Sequence, residues 1–278
     1  FKNGVGAYWV DEAGKIGTSV PQWEHPEIFA KKLGVIVPTT REKLDDTVIN
    51  VFQTVQPQIA EAFYKAIDEA CLFGINSPFN ASIYSAAMAC GNAIALGTNN
   101  KLDLDISDVM ALVEAKGFDV NGFVSNISFK NQLRKLRDSS GNQLYVQGIT
   151  DKGGNLYDAL YSLPIEFCRN NAWDATKALC IGGNWEYSII GIRAQIEYEI
   201  LKEATLTSIT MSDSKPLSLA ERDMVAVKAT MRIGFLPIKG EAFAVLVPAG
   251  TTIPSGNSDS DTGSGTTPVS DTSSGTTP

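Results

Sequence analysis

His25 is the only histidine among the 278 residues of the chain. Without a second imidazole, Ser-His-Asp and Cys-His constellations would have to use His25 itself, which sits in a polar loop between Glu24 and Pro26. Cysteine is scarce too. Cys71, Cys90, Cys168 and Cys180 are spaced too widely for a CxxC knuckle, so no zinc site is expected. Four cysteines in so long a chain do not make a disulfide scaffold, and they read as reduced, buried side chains. Long apolar runs are missing: Ala242 to Val247 is far shorter than the roughly 20 residues of a spanning helix, so none is expected in these 278 residues. No basic start leads into an apolar run and no lipidation motif occurs. The sequence opens on Phe1 rather than methionine, as in a processed product.

Charge is low at 19% Asp, Glu, Lys and Arg, and its balance is acidic, 31 against 23 for a net −8. Sequence-independent binding of phosphates needs a basic surplus. The one basic cluster, Lys130, Arg134, Lys135 and Arg137, is answered by Asp138 and reads as a solvated face or a subunit contact. Gly14-Lys-Ile-Gly-Thr-Ser19 has neither the glycine spacing nor the trailing Lys-Ser/Thr of a phosphate loop, and Gly182-Gly-Asn-Trp185 is no dinucleotide fingerprint. Paired carboxylates (Asp11/Glu12, Asp45/Asp46, Glu197/Glu199) have the chemistry of glycoside hydrolysis, which depends on a separation that sequence does not give. Glu197 and Glu199 fall on the polar face of a strand, and Asp45/Asp46 precede a helix whose positive end they favour.

What is present is an ordinary globular share of hydrophobic residues, 44%, followed by a tail. From Ala249 to Pro278, 23 of 30 residues are Ser, Thr, Gly or Pro, and Ser260-Asp-Thr-Gly-Ser-Gly-Thr-Thr-Pro268 recurs with one change as Ser270 to Pro278. So little apolar surface does not repay the entropy of ordering, so residues 249–278 read as a solvated linker. Upstream, Ala7 to Val10 and Phe29 to Val37 have strand character around a long polar turn, an extended hairpin too poor in apolar residues to stand alone. Phe52, Val55, Ile59, Ala62, Phe63, Ala66, Ile67 and Ala70 follow helical periodicity from Thr47 to Phe73. Pro57 puts the regular start near Gln56, and Gly74 ends it. A second helix is expected over Ile106 to Lys116, capped by Asp105 or Ser107, then a strand at Asn121 to Ser125 and a short basic helix over Ser128 to Arg137. Tyr187 to Ile200 alternates as a half-buried strand, Met224 to Phe235 does the same, and Glu241 to Val247 would pair with it across the Pro237–Gly240 turn. The class is α+β.

In this order the parts resemble the major capsid proteins of tailed bacteriophages, the Hong Kong 97 phage type. Ala7-Tyr-Trp-Val-Asp-Glu12 with Leu33-Gly-Val-Ile-Val-Pro-Thr-Thr40 looks like that family's extended loop and its return, and Arg41-Glu-Lys-Leu-Asp-Asp46 like the approach to its spine helix. Asn121 to Asn126 with Leu133 to Gly141, then Leu163-Pro-Ile165, Cys180 to Trp185 and Tyr187 to Gly191, are similar to the axial-domain elements. Glu221 to Gly234 and Glu241 to Leu246 are similar to the closing peripheral strands.

The resemblance implies an extended loop over residues 1–40, a peripheral domain from 41–75 and 217–248 holding the spine helix and an antiparallel sheet, and an axial domain at 76–216. It implies a structural protein with no catalytic site, metal or cofactor, assembling with itself into hexamers and pentamers of an icosahedral shell around phage DNA held without sequence-specific contacts. Assembly would take place in the bacterial host cytoplasm, with a scaffolding segment, maturation protease, portal and decoration proteins as further partners and an N-terminal arm upstream of the loop. Candidate contacts between subunits are Tyr8, Trp9, Lys15, Trp23, Arg222 and Asp223. The rival readings are an encapsulin-like compartment shell and a secreted carbohydrate-active hydrolase with a linker tail.

Some members of the family join a loop lysine to an asparagine of a neighbouring subunit. Lys15 could supply the amine, but Met224 follows Arg222-Asp223 at the acceptor position, and its thioether has no acyl carbon. Denaturing gels of mature particles should therefore show single chains. Covalent ladders joined through Lys15 would refute this.

Overall fold

The computed structural model describes residues 7, 9, 10, 12, 15, 18, 26–42, 51–99, 101–137, 140–150, 156–210 and 216–254. In chain order its strands are β1 (Lys31–Thr40), β2 (Ala93–Ala95), β3 (Gly122–Asn126), β4 (Tyr145–Thr150), β5 (Leu156–Leu160) and β6 (Leu163–Cys168). There follow β7 (Cys180–Gly183), β8 (Ser188–Leu201), β9 (Thr205–Thr210), β10 (Pro216–Ser218), β11 (Met224–Pro237) and β12 (Phe243–Val247). The helices are α1 (Val51–Asp68), α2 (Ile83–Ala89), α3 (Leu102–Glu114) and the single turn α4 (Lys130–Leu133). The repeated tail and His25 lie outside the described residues.

The α1 periodicity has the expected consequence: Ile59 and Phe63 are buried, with Val55 and Ile67 partly so. The helix does not begin near Gln56, however, but runs through Pro57. Proline removes one intrahelical donor there, and Thr54, Gln56 and Pro57 are exposed, so water can serve the carbonyl left over. The last turn widens to a π-helical turn, Glu69–Phe73, and Gly74 stops it at φ 68°, the left-handed backbone that glycine adopts without cost.

Helix α1 lies on a three-stranded antiparallel sheet of order β1-β11-β8. Val227, Ala229, Met231 and Ile233 of β11 meet Ile59 and Phe63, with Leu33, Val35 and Val37 of β1 beside them. The return limb of the expected hairpin is thus β1, and it pairs with β11 over its whole length. Among the described residues of the first limb, Ala7, Trp9 and Val10 are in no strand.

A mixed seven-stranded sheet, order β2-β12-β7-β3-β6-β5-β4, forms the larger body. Here the expected β11–β12 hairpin is overturned. After β11 a 3-10 turn, Gly240–Ala242, carries the chain into this second sheet, where β12 runs parallel to β2 and antiparallel to β7. Burial explains the move, because all five residues of β12 are fully buried, a central position that a hairpin on the smaller sheet would not supply. Ala244 and Leu246 face one core with Ile106, Val109 and Val113 of α3; Phe243, Val245 and Val247 face another with Ile83 and Ala87 of α2. Glycine lets β7 fit between its neighbours, since a Cβ at Gly182 would come 2.7 Å from the Phe123 ring and one at Gly183 2.5 Å from the Ala242 carbonyl.

Two further expectations are corrected. Alternation along Tyr187 to Ile200 suggested a half-buried strand, yet Ile190, Ile192, Tyr198 and Ile200 of β8 are exposed. Of the cysteines, all free, only Cys71 and Cys180 are buried; Cys90 and Cys168 are half-buried.

Asp105 is no cap. α3 starts three residues before it, at Leu102, which leaves the carboxylate wholly buried inside the helix. It accepts from the Gly97 amide at 2.7 Å, the Asn99 amide at 2.9 Å and Asn99 Nδ2 at 3.1 Å, so the charge is matched by three donors of the β2–α3 turn. Asp105→Ala would orphan those donors, for an expected loss of about 3 kcal/mol and roughly 6–12 °C in Tm by thermal denaturation. Asp105→Asn should lose less.

Candidate subunit-contact surfaces

The chain enters β1 by crossing the sheet on the face opposite α1. Gly234 of β11 and Gly191 of β8 are paired in register. A Cβ at Gly234 would stand 2.4 Å from Ile28 Cγ2 and 3.2 Å from the Phe29 carbonyl oxygen, and one at Gly191 3.8 Å from Ile28 Cγ2. The two glycines form a notch in which the root of the opening loop is seated.

Among the described residues, those singled out from sequence are not brought together at one place. Tyr8 and Trp23 lie outside the described residues. Trp9 is fully exposed, and Lys15 is exposed as well. Arg222 ends the 3-10 turn Ala220–Arg222, and Asp223 follows it in left-handed backbone, φ 46°. Asp223 has partners within the subunit: its Oδ1 accepts from Arg41 Nη1 at 3.0 Å and its carbonyl from the Arg41 amide at 3.1 Å, tying the end of β1 to the start of β11. Met224 packs against the small cluster of Leu206, Leu217 and Leu219.

Sequence reading missed the surface beside α1. Opposite residues of an antiparallel pair share a face, and the register sets Ile190, Ile192, Tyr198 and Ile200 of β8 across from Phe235, Ile233, Ala229 and Val227. These side chains therefore point to the α1 side, where α1 covers β1 and β11 and meets β8 at Ile196, packed against the Ile59–Phe63 cluster, and at Tyr198, whose hydroxyl donates to the Gln56 carbonyl at 3.4 Å. At the Ile190 end the strip opens into a mainly apolar cleft of about 490 Å³, lined among others by Ile67, Leu72, Phe167, Trp185 and Phe235. Its polar lining includes Glu166, Arg169 and Asp68, whose Oδ2 accepts from Asn170 Nδ2 at 2.5 Å; burial raises the Asp68 pKa against the opposing pull of that bond. Cys71 in the same wall has its thiol pushed up to about 12, first by burial and then by the Asp68 charge, so it stays protonated and unreactive at neutral pH. The cleft offers apolar contact area, not an activated nucleophile.

The phage capsid family profile matches residues 1–247. The chain belongs to that family. It is 36% identical over 245 residues to the major capsid protein of Staphylococcus phage 80alpha, covering 88% of this chain and 72% of that one. Among solved structures, a chain of Microbacterium phage Oxtober96 superposes with a TM-score of 0.74 at 28% identity, covering 88% of this chain and 83% of its own length. One of Mycobacterium phage Cain gives 0.73 at 27%, covering 89% and 83%. The fold is of the Hong Kong 97 type, and the protein is a shell-forming phage capsid protein; neither the compartment shell nor the secreted hydrolase is favoured.

In this capsid protein the basic cluster is not one solvated face. Lys130 Nζ binds Asp158 Oδ2 at 2.5 Å and stands 4.8 Å from the Phe167 ring centroid, whereas Arg134, Lys135 and Arg137 are exposed. Asp158 also accepts from the Tyr145 hydroxyl at 2.8 Å and the Gly148 amide at 3.2 Å, which fastens α4 and the β4–β5 hairpin to β6. Burial works against the Asp158 charge, but Lys130, Tyr145 and Gly148 together hold its pKa below the usual value, while the bond to Asp158 raises that of Lys130. A lowered acid pKa gives stability that is complete above the unfolded value, 3.8, and is lost as pH falls through the folded one. Asp158→Asn should cost about 1–2 kcal/mol at neutral pH, with the gap to wild type closing as pH falls through about 4 and below. Urea titrations at several pH values check this, and Lys130→Met with Asp158→Asn should cost less than the sum of the two single changes.

Proposed function

We propose that this chain builds the hexamers and pentamers of an icosahedral phage shell, with its opening loop lying on a neighbouring subunit. The observation that carries the proposal is the strip on β8: a family member whose sheet leaves Ile190, Ile192 and Ile200 half or more exposed has apolar surface to cover by association. The loop is residues 1–40. The peripheral domain is 41–75 with 217–248 and the axial domain 76–216; β8 pairs with β11 of the former, and β12 lies in the larger sheet. Trp9, Lys15, Tyr8, Trp23, Arg222 and Asp223 serve as contacts between subunits, Asp223 through the strand junction it fastens to Arg41.

The net charge of −8 suits a container, because the wall does not hold packaged polyanion tightly and needs no sequence-specific contact with it. The role is structural. A scaffolding segment, a maturation protease, a portal and decoration proteins complete assembly, which takes place in the bacterial cytoplasm. Electron microscopy of the full-length chain expressed with its scaffolding and protease partners should show closed shells of one diameter, holding nuclease-protected DNA when the packaging machinery is present. Persistent monomers would overturn the proposal.

A further inference from the structure

The larger sheet carries two unlike surfaces on its opposite faces. On the α3 side, the 3-10 turn Ile127–Phe129, α4 and the turns after it bury Phe129, Leu133 and Leu136 in the core. Helical spacing then puts Ile127, Asn131, Arg134 and Lys135 on the outer side. All four are exposed, Ile127 by 45%. Among the described residues, Arg134 and Lys135 are in no ion pair. The result is an apolar knob with two cations beside it.

On the α2 side lies the cleft next to Ile190, walled by Cys71, Ile83, Trp185 and Phe235 of the α2 core. Its lining has two carboxylates, Asp68 and Glu166, against the one guanidinium of Arg169, a net −1. None of the three is in an ion pair among the described residues. Asp68 is met by the neutral Asn170 amide, so its charge stands in a mainly apolar wall without a cation beside it. At about 490 Å³ the cleft has room for an isoleucine and the ends of two long side chains.

Successive residues of a strand take opposite faces. Phe123 and Ile165 pack in one core with Leu133, whereas Val124 and Glu166 line the cleft. The sheet stands between the two surfaces, so they do not meet within one subunit. Between copies they match in both respects, apolar against apolar and positive against negative. A contact that joins different patches of two copies repeats round a ring when its rotation closes, and that is the symmetry of the hexamers and pentamers proposed above.

We propose that Ile127 of one copy enters the Asp68 cleft of the next, with Arg134 and Lys135 set against Asp68 and Glu166. The inference rests on the shell-forming reading and names two surfaces that join neighbours head to tail.

The test uses shells assembled from mixed isotopically light and heavy copies of the full-length chain, with a photoreactive phenylalanine at Ile127. Irradiation should give light–heavy products joined to tryptic peptides within 66–101 or 153–193, which hold the cleft lining apart from Val124 and Phe235. Links confined to other peptides, links confined to one copy, or well-formed shells without links would each overturn the proposal. In parallel, Arg134→Glu with Lys135→Glu should leave the subunit's melting unchanged while lowering shell yield about tenfold or more. Adding Glu166→Lys and Asp68→Asn, the second of which keeps an acceptor for Asn170, should recover the yield several-fold. Unchanged yield in the first variant, or no recovery in the second, would also overturn it. If the unsubstituted chain forms no shells, the shell-forming reading itself fails, an outcome distinct from shells that lack these links.

Discussion

A single helix laid over a three-stranded sheet sets the terms for the rest of this subunit. A helix with its side chains is about 10–12 Å across, and three strands spaced by about 4.8 Å present a face at least as wide. Eighteen residues of α1 extend about 27 Å, whereas the 14 residues of β11 extend about 46 Å. One helix does not roof such a sheet. It covers the seam between β1 and β11, where Ile59 and Phe63 meet Val227, Ala229, Met231 and Ile233, and leaves Ile190, Ile192 and Ile200 of the outer strand exposed. The seven-stranded sheet faces no such shortage, with α2 and α3 on opposite faces and β12 buried on both. The two sheets therefore have different physical characters: one is covered on both faces within the subunit, and the other keeps part of its outer strand in solvent.

Much of this was legible from residue patterns. The α1 face, the stop at Gly74, the strand from Met224 and the return strand before Arg41 follow from periodicity and from glycine's backbone freedom, both local properties. What was not legible depends on the other side of a contact. Alternation in β8 says that one face is apolar, not that anything covers it. The adjacency of β11 and β12 suggests a hairpin, and only the demand of the larger sheet for a fully apolar central strand explains why Phe243 to Val247 goes elsewhere. Asp105 looked like a cap because acidic residues favour helix starts, and nothing nearby in sequence announces that Gly97 and Asn99 turn their donors inward upon it.

The candidate contacts split along the same line. Trp9 stands out in sequence because an exposed indole at the start of a chain needs a destination. Asp223 stands out through its place in a family pattern, yet its visible partner is Arg41 of the same chain. The basic cluster divides further, Lys130 being drawn into a partly buried pair that braces the hairpin of the larger sheet while its neighbours remain in solvent. Residue type alone does not separate a bracing group from a docking group; the side chain's partner does.

The Gly191–Gly234 notch has a mechanical corollary. Ile28 sits where a Cβ at Gly234 would come within 2.4 Å of its Cγ2, so a residue larger than glycine there would push Ile28 and Phe29 away from the sheet. The place where the chain meets the sheet before β1 is thus written in a missing side chain: glycine at 234 is the gap that lets the backbone of Phe29 pass over β11.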